Sequence, residues 1–118
     1  MSDLGIITTL VKHLPGQHEQ KRHAGGRNAM NAANAINRAV REGSKEAKNF
    51  ADFRLNMGLA SKYYNKTVEL LGKNDLKNAR EYLAFSIHHI DKAEGQTRNT
   101  RPVREALAAV QTFYAELS

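Results

Sequence analysis

The sequence has no cysteine and only two prolines, and these absences narrow its chemistry before any motif is read. Without cysteine there is neither a disulfide framework nor a thiolate metal site. The longest apolar runs fall far short of the roughly 20 residues that cross a bilayer as a helix, so no membrane segment is expected. The start, Met1-Ser-Asp-Leu-Gly, lacks the basic opening of a secretory signal, and cytoplasmic synthesis is the simplest expectation. No stretch shows sustained apolar–polar alternation with β-branched residues, which argues against strands. A catalytic motif is also missing. Ser2, Ser44, Ser61, Ser86 and Ser118 lack a glycine elbow, no carboxylate pair suggests glycoside chemistry, and neither phosphate-binding fingerprint is present. Enzyme activity and a bound cofactor are therefore not expected.

What is present is a chain of 118 residues, 41% hydrophobic and 25% charged, which suits one domain with an adequate core. Its net charge of +6 favours polyanionic or acidic partners. The excess is uneven. Lys21, Arg22, Arg27, Arg38, Arg41, Lys45 and Lys48 face only Glu42 and Glu46 in the same window, and Arg98, Arg101 and Arg104 form a second small cluster.

Every long segment has helical periodicity, so the expected fold is all-α: a small antiparallel bundle of about five helices with an extended N-terminal arm. The first helix is expected from about Asp3 to Leu14, ended by Pro15. A second runs from Arg27 or Asn28 to Gly43, with Ala29, Ala33, Ile36 and Val40 as a narrow apolar stripe. Asn28, Asn31, Asn34 and Asn37 form a winding polar band on it, although asparagine is a mediocre helix former. Ser44 is expected to cap a third helix over about 45–72. There Phe50, Phe53, Met57, Ala60, Tyr64, Thr67 and Leu71 alternate steps of three and four, the pattern of a bundle seam. Leu59, Tyr63, Val68 and Leu70 widen that face, which predicts more than one neighbour. Gly58 in mid-helix suggests close approach of another helix. Gly72-Lys73-Asn74-Asp75 predicts a tight turn into a fourth helix, about 75–94, with Leu76, Ala79, Leu83, Ile87 and Ile90 as its seam and Gly95 at its end. Thr100 and Pro102 open a fifth, with Val103, Ala106, Leu107, Val110, Phe113 or Tyr114, and Leu117 on its apolar side. The expected division is residues 1–26 as helix and arm, and 27–118 as the bundle. One hairpin resembles a tetratricopeptide unit in Ala60–Tyr64 and Ala79–Leu83, but no second copy follows and a solenoid is not expected.

The least helix-like stretch runs from His13 to Gly26. It holds His13, His18 and His23 at five-residue spacing between Pro15-Gly16 and Gly25-Gly26. That spacing scatters the imidazoles around a helix and alternates them across a strand, so convergence on a metal would need a looped backbone, and no metal site is assigned. Surface contact by the histidines with Lys21 and Arg22 is the favoured reading. The string Lys12-His-Leu-Pro-Gly-Gln-His-Glu-Gln-Lys-Arg-His-Ala-Gly-Gly26 resembles a segment, usually H-L-P-G-Q-H-D-Q-x-x-H-G, of tailed-phage head-morphogenesis and minor-capsid proteins. Glu19 stands where aspartate is commoner, and Ala24 where glycine often follows the last histidine. The resemblance implies a virion, head-associated protein and no catalytic mechanism. Its partner would be the major capsid protein or another phage head protein, met through His13, Pro15, Gly16, His18, Lys21, Arg22, His23, Gly25 and Gly26.

The alternative is a basic helical protein that places Arg27, Arg38, Arg41, Lys45 and Lys48 on nucleic-acid phosphates. The junction near Gly43 lacks a helix-turn-helix pattern, so base-specific reading is not supported. Homo-oligomerisation and a host-directed contact through the bundle face are further options. Arg80 and His88 invite comparison with the R-x4-6-H motif of HEPN ribonucleases, but their spacing departs from it. His88 is placed beside the seam, in reach of Asp91.

Overall fold

The computed structural model describes residues 25–117, which fold as four helices: α1 (Gly25–Ser44), α2 (Phe50–Gly72), α3 (Leu76–Glu94) and α4 (Arg101–Glu116). The helix expected near residues 3–14 and the arm residues His13, Pro15, Gly16, His18, Lys21, Arg22 and His23 lie outside the described residues. The all-α expectation holds, and the described residues contain the four helices expected after the arm. Gly25 and Gly26 are part of α1, so the bundle starts two residues earlier than expected.

Each helix runs antiparallel to its neighbours. Tyr64 Oη donates to Ala29 O between α2 and α1, and Ser86 Oγ donates to Ala60 O (2.8 Å) between α3 and α2. Arg104 Nε meets Glu94 Oε2 (2.7 Å) between α4 and α3. The ring closes where Asn28 Nδ2 donates to Glu116 Oε2 between α1 and α4. Packing is most extensive for α2 on α3 and for α1 on α4.

The seams follow from side-chain size. On α1 the buried side chains are Ala29, Ala32, Ala33, Ile36 and Ala39, mostly small enough to seat that helix closely against Val103, Ala106, Val110 and Phe113 of α4 and its C-cap Leu117. Phe53, Met57, Ala60, Tyr64 and Val68 of α2 fill the centre, and Tyr64 reaches across to Phe113 with ring centroids 6.1 Å apart. Leu83 and Ile90 complete the core from α3. Each large buried side chain contributes about 1.5–3 kcal/mol before entropy is subtracted. Phe50 departs from the expected seam: it is 56% exposed, with the Arg54 guanidinium 5.5 Å above its ring. Leu76 is also part-exposed, directly after the α3 cap.

The connections explain the other departures. The turn at 72–75 forms as expected: Asn74 takes φ 59°, a left-handed conformation its short polar side chain tolerates, and the Asp75 carboxylate accepts from Asn78 N. That contact, with Asn78 Nδ2, holds the Asp75 carboxyl below its ordinary pKa. Ser44, by contrast, does not cap α2; its hydroxyl donates back to Arg41 O (3.3 Å), and Asn49 is the cap, accepting from Asp52 N (3.0 Å). The reason is tertiary. Residues 46–48 are drawn against 96–98 of the α3–α4 connection, with Lys48 N donating to Gln96 O and Arg98 N to Glu46 O, both 2.9 Å. Buried Thr97 completes this clasp, its Oγ1 donating to Gly43 O (2.7 Å) and accepting from Asn99 N (3.2 Å).

The close-approach glycine is Gly43, not Gly58. A Cβ on Gly43 would lie 2.5 Å from Phe53 Cζ, whereas one on Gly58 would meet nothing within 4 Å. Gly58 is exposed on the outer side of α2.

Candidate functional site

Two surfaces of the bundle carry chemistry beyond packing. The first is the solvent side of α1. Residues 27, 31, 34, 38 and 41 repeat in steps of four and three, which puts them on one side of a helix opposite the alanine stripe. They are Arg27, Asn31, Asn34, Arg38 and Arg41, all exposed. Lys45 and Lys48 continue the positive charge past the end of α1, in the clasp connection.

Several of these cations already meet carboxylates. Arg38 lies 3.8 Å from Glu105, which also meets Arg101 at 3.3 Å; Glu42 is shared by Arg41 (3.7 Å) and Lys45 (3.5 Å). All are solvated pairs, each worth about 0–1 kcal/mol, and would yield readily to a phosphate. Arg27 and Lys48 have no ion-pair partner among the described residues. Of the four asparagines, Asn28 is engaged with Glu116, while Asn31 and Asn34 are exposed.

The second surface lies along the α2–α3 seam, and its aromatic centre escaped the sequence reading. Tyr63 is surrounded by three rings of α3: His89 stacked at 5.6 Å with an interplanar angle of 20°, Phe85 at 5.4 Å and Tyr82 at 6.0 Å. Phe85 packs edge-on against Tyr82 at 5.7 Å and is 49% exposed. Leu59 and Leu55 extend the apolar strip along α2 by one and two turns from Tyr63, and Leu55 is 59% exposed. The available signal was the width of the α2 face. Val68 and Leu70 are buried, but Leu59 and Tyr63 keep part of their surface exposed.

His89 is held in one tautomer. Asn56 Nδ2 donates to Asp52 O (3.2 Å) and Gln96 Oε1 (3.0 Å), which leaves Asn56 Oδ1 to accept from His89 Nδ1–H at 3.0 Å. With Nδ1 as the donor, the neutral ring carries its lone pair on Nε2. Partial burial, followed by the neighbouring His88 and Lys92, lowers the His89 pKa below its ordinary value and favours this neutral form. His88 itself is exposed, 5.1 Å from His89 between ring centroids. Arg80 is half-buried more than two turns before His88, about 12 Å away along the α3 axis, and no contact joins the two side chains.

Among the described residues no three His, Asp or Glu side chains gather as metal ligands, and no helix is long and apolar enough to cross a membrane. The chain matches no protein-family model, no curated protein and no solved structure.

Proposed function

We propose that this protein is a structural component of a tailed-phage virion, attached to the head through residues 12–26, with the helical bundle as the body that this segment carries. The observation behind the reading is the Lys12–Gly26 string, which resembles head-morphogenesis and minor-capsid proteins and runs directly into the first turn of α1. Recognition sequence and folded body are thus contiguous. Docking residues on a repeated lattice gain avidity from multivalency, so each contact need not be strong. The partner is the major capsid protein or another head protein, and the task is adhesion rather than turnover.

The test compares the full chain with the His13→Ala/His18→Ala/His23→Ala variant, each supplied during phage growth, followed by mass spectrometry of purified particles. The native chain should be found in heads, and the variant should be depleted by about ten-fold or more, as loss of repeated contacts predicts. Equal incorporation of both, or absence of the native chain, would overturn the reading.

A second reading is nucleic-acid binding, favoured by the α1 side that carries Arg27, Asn31, Asn34, Arg38 and Arg41, where Arg38 and Arg41 are held only by solvated ion pairs. Its affinity for duplex DNA should fall with a log–log salt slope of about −0.9 per phosphate contacted. Arg27→Ala/Arg41→Ala should flatten that slope by about two contacts. A native slope near zero would reject it.

A further inference from the structure

The aromatic strip on α2 and α3 is more apolar than solvent contact warrants. Phe85 and Leu55 are 49% and 59% exposed, and Leu59, Tyr63 and Tyr82 beside them are partly exposed. Exposed apolar residues that are contiguous, rather than scattered, mark a binding surface. Here they are contiguous: the rings form one cluster with centroids 5.4–6.0 Å apart, and the leucines continue it along α2.

We infer that this α2–α3 face docks an acidic amphipathic helix of a partner protein. The shape sets the type of occupant. From Leu55 to Tyr63 the strip covers about 12 Å at 1.5 Å per residue, and Tyr82 to His89 runs about as far on the antiparallel neighbour. Two adjacent helices carrying apolar residues at such spacing form a groove for a third, seated about 8–10 Å away through side chains at matching i, i+4 positions.

Charge sets its sign. Lys62, Lys66 and Lys92 border the strip, and Lys62 and Lys92 have no ion-pair partner among the described residues. Two carboxylates lie beside the strip: Glu69, bridged by Lys66 (3.6 Å) and Lys73 (3.3 Å), and exposed Glu81, one turn before Phe85, so the lysines outnumber them. An open depression of about 470 Å³, lined by Lys62, Lys66, Tyr82 and the lysine-bridged Glu69, can admit a carboxylate-bearing side chain from the partner beside Lys62.

The same observations disfavour two other occupants. A second copy of this chain would set one lysine border against another across a two-fold axis. Single-stranded nucleic acid needs ring faces free for stacking. Here Tyr63 and His89 cover each other's faces, and two of the apolar groups are aliphatic. This contact is separate from residues 12–26 and does not depend on the head assignment.

The test uses the full chain and fluorescence anisotropy with three labelled probes. They are an amphipathic peptide of about five helical turns with leucine on one face and glutamate on the other, the same peptide with lysine for glutamate, and an oligothymidylate. The glutamate peptide should bind at least about ten-fold more tightly than the lysine peptide, and Phe85→Ser should weaken it by about ten-fold, as loss of a central anchor does. Lys62→Glu/Lys66→Glu should reverse the preference between the peptides. Both variants change exposed side chains, and circular dichroism checks that the fold persists. The inference fails if the two peptides bind equally, if neither binds, if oligothymidylate competes for the face, or if sedimentation equilibrium shows a dimer that Phe85→Ser dissolves.

Discussion

Replacing Thr97 by valine removes one hydroxyl from the interior while keeping the shape of the side chain. Thr97 is fully buried, and its Oγ1 serves both loops of the clasp, donating to Gly43 O and accepting from Asn99 N. Each such bond is worth about 0.5–1.5 kcal/mol net, so losing both should cost about 1–3 kcal/mol. The upper end applies if Gly43 O loses most of its hydrogen bonding; it also accepts Glu46 N, but at 3.2 Å. For a domain of this size each kcal/mol lowers Tm by roughly 4–8 °C. Guanidinium denaturation followed by circular dichroism should show a lower midpoint with an unchanged slope, since the surface exposed on unfolding is the same. Hydrogen exchange should locate the effect: the amides of Lys48 and Arg98, which lace the loops together, should exchange faster while those in the middle of α2 and α3 follow only the global change. A cost below about 0.5 kcal/mol, the size of an ordinary surface substitution, would refute the view that Thr97 ties the clasp.

Three further outcomes follow from the same packing. Gly58→Ala should raise stability by about 0.5–1 kcal/mol, because it fills open space in mid-helix, whereas Gly43→Ala should lower it by about 1–3 kcal/mol by driving a methyl into the Phe53 ring; thermal melts of the two single variants check the opposite signs. Burial pushes the Tyr64 hydroxyl pKa far above its ordinary value, so its stabilising effect is complete below about pH 10 and lost above it as the unfolded chain ionises first; the denaturation midpoint should drop between about pH 9 and 11, less steeply in Tyr64→Phe. The His89 pKa is lowered, so its contribution is present above about pH 6.5 and lost as pH falls below that; His89→Asn, which keeps a donor toward Asn56, should show a shallower decline in stability from neutral to mildly acidic pH.

The seams were legible in the sequence because a buried stripe must repeat with the helix. Phe53, Met57, Ala60 and Tyr64 betray α2 by spacing alone, and Gly72-Lys73-Asn74-Asp75 contains both the left-handed residue and the cap that its turn uses. Ser44 misleads because its local signature is sound, yet strand-like pairing with residues about 50 positions away draws residues 46–48 aside and leaves capping to Asn49. Gly58 and Gly43 cannot be told apart by residue type; what separates them is where the Phe53 ring lies. The aromatic surface was half visible, in the surplus width contributed by Leu59 and Tyr63. Its other half, Tyr82, Phe85 and His89, is off the α3 seam and only becomes a cluster when the antiparallel register brings it beside Tyr63. Charge was legible as a sum, not as a field, since a count of lysines and arginines does not say that Glu42 and Glu105 each meet two of them.

The hydrogen bond from Asn28 to Glu116 places the start of α1 beside the end of α4, at the opposite pole from the Thr97 clasp. A load applied between these two ends would act across the α1–α4 seam rather than along it. The helices would then part like a zipper, one turn at a time, through a contact that is mostly alanine on the α1 side. Each opened turn gives up only alanine methyls from most of the α1 side, against the larger α4 side chains packed on them, so resistance should rise most where the crack reaches the laced loops. Mechanical strength in this bundle is concentrated at one pole, and the pole that adjoins residues 12–26 is the weaker one.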